Sequence, residues 1–324
     1  MISDPPKSRD WWPDLEDLRL SNTAVVVLNT SIENPPKLVR HLWNNSWLRV
    51  TVDGGTNKWH SFVKQNSFDD LKFPDLITGD LDSANPAVVE QFVSMGSTII
   101  PTPNQDETDF TKALKEVKKY SAKHCKSIDS IIVMVNMCHR VDHFLSNLNT
   151  LYKSKTKDLY FDEDIYLLGR NSLTWLLQAG THRIHVPQSL RFHPENNYVG
   201  FFPMGSACNE CTTTGLKWNL KFKRLLEMCS LVSGQLASAY FFMSTNTTCI
   251  GSNVPMYSYK KSMVMYHLVI AVDMNNMVLR PGGKPMEMGG LTSSSNTFNG
   301  EPIVTITNSS PLLWTMTMGY EESF

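Results

Sequence analysis

Between residue 24 and about residue 155 the chain alternates short apolar runs with stretches of helical period. AVVVLN, LRVTVD, PDLITGD, STIIP and IIVMV read as strands, and PPKLVRHLW, TDFTKALKEVKKY and VDHFLSNLNTLY as amphipathic segments among them. Strands alternating with helical patterns predict parallel βαβ units. In TDFTKALKEVKKY, Phe110, Ala113, Leu114 and Val117 share one helical face, and Lys112, Lys115 and Lys118 are expected to face water. Leu145, Leu148 and Tyr152 form the expected buried stripe of VDHFLSNLNTLY.

After about residue 170 the helical period gives way to β-rich runs: SLTWLLQ, THRIHV, YVGFFPM, TTTGLKWNL, PIVTITN and LLWTMTM. Gly, Asn and Pro separate them, which predicts an antiparallel sandwich or barrel. The expected fold class is therefore α/β plus all-β, a parallel α/β domain followed by an antiparallel β-sandwich. We divide the chain into an N-terminal extension (1–21), an α/β domain (22–168) and a β-sandwich (169–324) interrupted at about 221–288. The polar segment KSKTKDLYFDED is the candidate connector, with Tyr160 to Leu168 as a possible last strand of the first domain.

A chain of 324 residues is long enough for two domains that each bury a core. Its 30 basic and 31 acidic residues create no net field for nucleic acid or an anionic membrane, so an anionic ligand needs a local site. The N-terminus lacks the apolar stretch of a secretory signal, and the apolar runs Leu231 to Met243 and Met263 to Val272 are too short to cross a bilayer. A cytoplasmic protein that does not enter the membrane is expected. Cys208 and Cys211 form a CxxC with no second pair to complete a zinc site, and read as two free thiols on a loop.

In open parallel sheets ligands bind beyond the carboxyl ends of strands, and three strand-end loops here are acidic. VTVDGGTN places Asp53 at a strand end, followed by Gly54 and Gly55, which let backbone approach a ligand. LITGDLDS brings Asp80 and Asp82, and PTPNQDETD brings Gln105, Asp106, Thr108 and Asp109 as a helix begins. Carboxylates gathered at strand ends repel one another unless a cation intervenes, and their hard oxygens suit magnesium, which commonly accompanies phosphate. Taken singly, each loop is also an ordinary Asp/Gly turn, and Asp109 also complements a helix dipole. Arg140 and Asp142 of HRVDHFLSNL form a fourth candidate, as a phosphate contact and a helix cap. Neither GxxxxGK followed by Ser or Thr nor GxGxxG occurs, so phosphates are not held by those loops.

DGG, PDLITGDLDS, the stretch from Pro101 to Leu114, RVDHFLSNLNTL, TTTGLKWNL and SSSNTF, in this order, resemble the thiamine pyrophosphokinases, especially the eukaryotic type. The resemblance spans about residues 22–220 and 289–318. It implies a homodimer with sites at the subunit interface, in which ATP gives a diphosphate group to the thiamine hydroxyl and AMP leaves. It also implies that Asp80, Asp82 and Asp109 are catalytic residues and Mg2+ ligands. Asp53, Gly54, Gly55, Gln105, Asp106, Thr108, Arg140 and Asp142 would serve ATP. Trp218, Ser295 and Asn296 would serve thiamine. Without the motif match, Trp218 reads as a core tryptophan of the sandwich.

Two departures stand out. His139 occupies the position before the Arg of the RxD motif where the family usually carries glycine, and from about Lys221 to Met288 roughly seventy residues stand where relatives have a short connection. They motivate a second reading, a catalytically impaired homologue that binds nucleotide or thiamine. A third reading makes Asp80 and Asp82 a phosphatase DxD pair that forms a phosphoenzyme.

Overall fold

The computed structural model describes residues 8–15, 18, 20–136, 140–157, 159–191, 197–206, 208, 210–220 and 293–319. The first strand, β1 (Ser8–Trp11), lies in the N-terminal extension and is taken up with the sandwich below. The apolar runs of the first half then become β2 (Thr23–Val27), β3 (Leu48–Val52), β4 (Leu76–Gly79), β5 (Thr98–Pro101) and β6 (Ser130–Met134). All residues of β2, β3 and β6 are buried, as expected of parallel strands covered on both faces. Helices α1 (Pro36–Asn45), α2 (Gly55–Gln65), α3 (Pro86–Met95), α4 (Asp109–Lys123) and α5 (Val141–Lys153) make the crossovers.

The last parallel strand is β7 (Asp164–Gly169), which pairs with β6. The stretch Tyr160 to Leu168 thus contains the final strand of the α/β domain. The parallel order is β5-β4-β3-β2-β6-β7, and the direction of winding reverses between β2 and β6. Such a reversal opens a crevice at the carboxyl ends of the two strands.

A hairpin at Gly169 and Ser172 leads into β8 (Ser172–Leu177), antiparallel to β7, so the same sheet runs on into the second domain. There follow β9 (Gly180–His185), β10 (Val199–Pro203), β11 (Cys211–Thr214), β12 (Ser293–Asn296), β13 (Ile303–Asn308) and β14 (Leu312–Thr317). Strands β8, β14, β10 and β12 extend the large sheet, and β1-β9-β13-β11 form a second sheet. Trp175 and Trp314 of the first sheet share one buried core with Ile184, Val304, Ile306 and Cys211 of the second. Two sheets closed over a common apolar core constitute the expected sandwich.

β1 pairs in parallel with β9, and Trp11 enters the core against Trp175 with ring centroids 5.6 Å apart. Its indole N–H donates to Nδ1 of His182 at 3.0 Å. Ser8–Trp11 of the extension is therefore built into the sandwich.

Three expectations about single residues change. Lys112 is buried, because its long stem lets the ammonium reach the Thr102 and Asn104 carbonyls of the loop before α4 rather than water. Leu145 is 47% exposed, since the packed face of α5 runs through Leu148 and Leu151. Cys208 and Cys211 are free but buried in the sandwich core, and burial pushes the Cys211 thiol up to about 12. His139 and the segment 221–288 lie outside the described residues.

Candidate active site

Asp53 leaves β3 with a left-handed backbone, φ 49°, which turns its carboxylate toward the next strand end. Its amide donates to the Thr78 carbonyl at 2.7 Å, and its Oδ1 accepts the Ser83 amide at 3.1 Å. Gly79 makes this approach possible: its φ is 130°, and a Cβ there would lie 2.9 Å from the Asp53 Cβ. Asp80 follows directly. Gln105 donates its amide to Asp80 Oδ2 at 2.9 Å, and this bond is the main cause that lowers the Asp80 pKa below the ordinary carboxylate range.

Asp109 opens α4, whose N-cap is Thr108; the Thr108 Oγ1 accepts the Thr111 amide at 3.1 Å. The hydroxyls of Thr108, Thr111 and Thr150 lie within 3.1 Å of one another, tying α4 to α5 and fixing where Asp109 begins. Asp53, Asp80 and Asp109 consequently bring one carboxylate oxygen each into a group whose atoms lie within 4.8 Å of one another. Asp82 stands outside this trio, exposed, with its Oδ1 accepting the Ser83 hydroxyl at 2.9 Å. Asp106 is also exposed, and its amide donates to Asn104 Oδ1 at 2.9 Å. Carboxylate oxygens from two strand ends and one helix start suit a hard divalent cation such as Mg2+.

The two glycines after Asp53 face protein. A Cβ on Gly55 would lie 2.5 Å from the Val27 carbonyl oxygen, and one on Gly54 would lie 2.5 Å from the Asn29 side-chain nitrogen. Their smallness lets α2 start hard against the end of β2.

At the reversal between β2 and β6 lies a crevice of about 580 Å³, bordered by Leu28 to Ser31 after β2 and by Asn136 after β6. Lys58 of α2, Asp109, Arg140 before α5, and His143 and Asn147 of α5 also line it. Arg140 donates Nε to Asp142 Oδ1 at 3.1 Å, and its guanidinium holds the Asp142 carboxyl at about 2. Sequence reasoning passed over Lys58, Asn136 and Asn147. Asn136 follows the apolar run IIVMV, so its strand-end position was the available signal.

In the sandwich, Trp218 is half-buried in the turn after β11, and the Lys217 ammonium stands 4.7 Å from its ring centroid. Asn296 of β12 is buried; its Oδ1 accepts the Trp218 amide at 3.1 Å and its Nδ2 donates to the Trp218 carbonyl at 2.7 Å. Ser295 precedes it on the same strand. Among the described residues, those lining the crevice all come from the α/β domain, and neither Trp218 nor Asn296 borders it.

Fold and site together define a class: a parallel α/β domain with a carboxylate cluster beside its reversal crevice, continued into a β-sandwich. The model of the thiamin pyrophosphokinase catalytic domain matches residues 39–161, and that of the thiamin pyrophosphokinase vitamin B1 binding domain matches residues 181–234. Thiamine pyrophosphokinase 2 of Oryza sativa subsp. japonica is 34% identical over 206 residues, covering 61% of this chain and 72% of the relative. Thiamine pyrophosphokinase 2 of Arabidopsis thaliana is 31% identical over 231 residues, covering 66% and 80%. The thiamin pyrophosphokinase structure from Candida albicans shares the fold at a TM-score of 0.66 and 18% identity, covering 98% of this chain and 95% of that one. The chain belongs to the thiamine pyrophosphokinase family.

Proposed function

We propose that this chain transfers the diphosphate group of ATP to the hydroxyl of thiamine, giving thiamine diphosphate and AMP. The observation that carries the reading is the convergence of Asp53, Asp80 and Asp109 beside the crevice between β2 and β6, in a chain of this family. The thiamine hydroxyl oxygen attacks the β-phosphorus, the bond from that phosphorus to the oxygen bridging the α-phosphate breaks, AMP leaves with that oxygen and its electron pair, and the hydroxyl proton passes to solvent.

Asp53, Asp80 and Asp109 would hold Mg2+, which when bound supplies Lewis-acid neutralisation of phosphate charge. Lys58 and Arg140 line the crevice as cationic donors for phosphate oxygens. Gln105 holds Asp80 in its ionised form, the form a cation requires. Trp218 offers a half-buried ring face to the cationic thiamine rings, an interaction worth about 1 kcal/mol or more when desolvated.

The reading assigns residues 22–168 to ATP and residues 169–324 to thiamine, with the stretch at about 221–288 interrupting the latter. It also takes the working form as a homodimer. That Trp218 and Asn296 are not among the described residues lining the crevice of their own chain supports this, because a second copy can complete the site. No helix among the described residues is long and apolar enough to cross a membrane, and the reading places the protein in the cytoplasm.

The test is a nucleotide assay on the purified chain. AMP should form from ATP only when thiamine and Mg2+ are both present, in step with thiamine diphosphate. Release of ADP would sink the β-phosphorus assignment.

A further inference from the structure

Lys112 has a buried side chain, 6% exposed, on the first turns of α4. Its ammonium stands 2.7 Å from Asp109 Oδ1 and donates to the carbonyl of Thr102 at 2.9 Å and that of Asn104 at 3.0 Å. These three oxygens match the three hydrogens of an ammonium group, so the cation is fully satisfied without water. A buried lysine costs free energy unless its charge is met, and here it is met by a carboxylate of the acidic trio and by the backbone of the loop before α4.

From this geometry we propose that Lys112 is a positioning residue of the diphosphate-transfer site. Its ammonium fixes Asp109 within the carboxylate trio and clamps the Thr102–Asn104 loop from which Gln105 reaches Asp80. This rests on the trio being the metal site of the proposed function.

Two consequences follow from the contacts. One oxygen of Asp109 is engaged by Lys112, which sets the orientation of the whole carboxylate about its Cβ bond. Three carboxylates within 4.8 Å of one another also repel, and a single ammonium beside them leaves two net negative charges, the number one divalent cation balances. Gln105, joined by its peptide bond to Lys112's carbonyl partner Asn104, is kept where its side-chain amide meets Asp80. Lys112 thus supports two of the three carboxylates, Asp109 directly and Asp80 through the loop.

The experiment is calorimetric titration of the full-length wild-type chain and of K112M, K112R, D80N and D109N with MnCl2 in the absence of nucleotide. Thermal melting of each variant reports folding. K112M should bind Mn2+ about 10- to 100-fold more weakly than wild type, the loss typical of removing an outer-shell partner, with K112R in between. In turnover K112M should lower kcat and leave the KM for thiamine unchanged, because Trp218 and Asn296 lie on the other domain. A purely structural lysine would lower the melting temperature without moving Mn2+ affinity.

Mn2+ binding by K112M within about twofold of wild type, with D80N and D109N weakened, overturns the role of Lys112 and leaves the metal site standing. If wild type binds no Mn2+, or D80N and D109N bind it as wild type does, the metal reading fails and the role of Lys112 fails with it. Should K112M not fold, K112R carries the decision: a loss of about threefold or more supports the proposal and a smaller one overturns it.

Discussion

Asn296 grips Trp218 by both polar groups of its backbone, accepting the amide N–H at 3.1 Å and donating to the carbonyl at 2.7 Å. Both oxygen and nitrogen of the buried side-chain amide are thereby used on one residue, with the Oδ1 also accepting the Thr297 amide at 3.0 Å. The physical role visible for Asn296 is to hold the turn that presents the Trp218 ring.

Removing that grip should loosen thiamine binding more than phosphate chemistry. N296A removes the partner of both part-buried Trp218 backbone groups at about 1 kcal/mol per lost hydrogen bond, and the KM for thiamine is expected to rise roughly tenfold. The KM for ATP should stay near the wild-type value. Steady-state kinetics with each substrate varied in turn checks this, and a selective rise in the KM for ATP would count against it.

The aspartates should separate by position. D80N and D109N each remove a member of the trio and should lower kcat by at least the roughly 100-fold upper range seen for losing outer-shell partners of a metal. D82N, outside the trio, should cost less than about tenfold. If D82N proves as damaging as D80N, Asp82 moves into the metal set on substrate binding and the trio is incomplete as drawn.

G55A should destabilise the α/β domain. The new methyl group would sit 2.5 Å from the Val27 carbonyl oxygen, where only backbone movement makes room. Overpacking of this kind costs about 1–3 kcal/mol, readable as a lower urea midpoint with unchanged slope. A midpoint equal to wild type would show that α2 can shift away from β2 freely.

His182 should make the sandwich acid-sensitive. Buried in the core, it accepts the Trp11 indole N–H on Nδ1 and makes a 2.8 Å contact from Nε2 to the Gln178 carbonyl, so its neutral form fits both partners. Burial is the main cause that lowers its pKa below the ordinary value of 6.5. The unfolded chain then binds this proton more readily than the folded one, and stability falls as pH drops from 6.5 toward the folded pKa, levelling off below it. H182Q should show a shallower fall in melting temperature between about pH 7 and pH 5.5. An equal slope in both proteins would assign the acid sensitivity to other groups.

Much of this molecule is legible in its residues taken in order. The period of two or of 3.6 in the apolar positions is a local property, so β2 to β6, α4 and α5, and most strands of the sandwich follow from it. The acidic loops are equally local, since Asp53, Asp80 and Asp109 each stand where an apolar run stops or a helix starts. The tight fit of Gly54 and Gly55 against β2 belongs to contacts between segments far apart in sequence, and so does the entry of β1 into the sandwich. A pattern along one segment carries no information about them.

The kind of chemistry proposed was therefore legible in the sequence alone: carboxylates suited to a hard cation at the ends of parallel strands, and motifs shared with one family. Which carboxylates meet was decided only by the tertiary structure. Asp80 and Asp82 are indistinguishable in the string GDLDS, but the left-handed turn at Leu81, φ 67°, separates their side chains, and Asp80 alone joins Asp53 and Asp109. Likewise Lys112 has the helical phase of a solvent-facing residue and ends as a buried cation, because the Thr102 and Asn104 carbonyls and Asp109 converge on the end of its side chain. Periodicity specifies the direction in which a side chain leaves its helix; what a long flexible side chain reaches is set by the neighbours that the fold brings there.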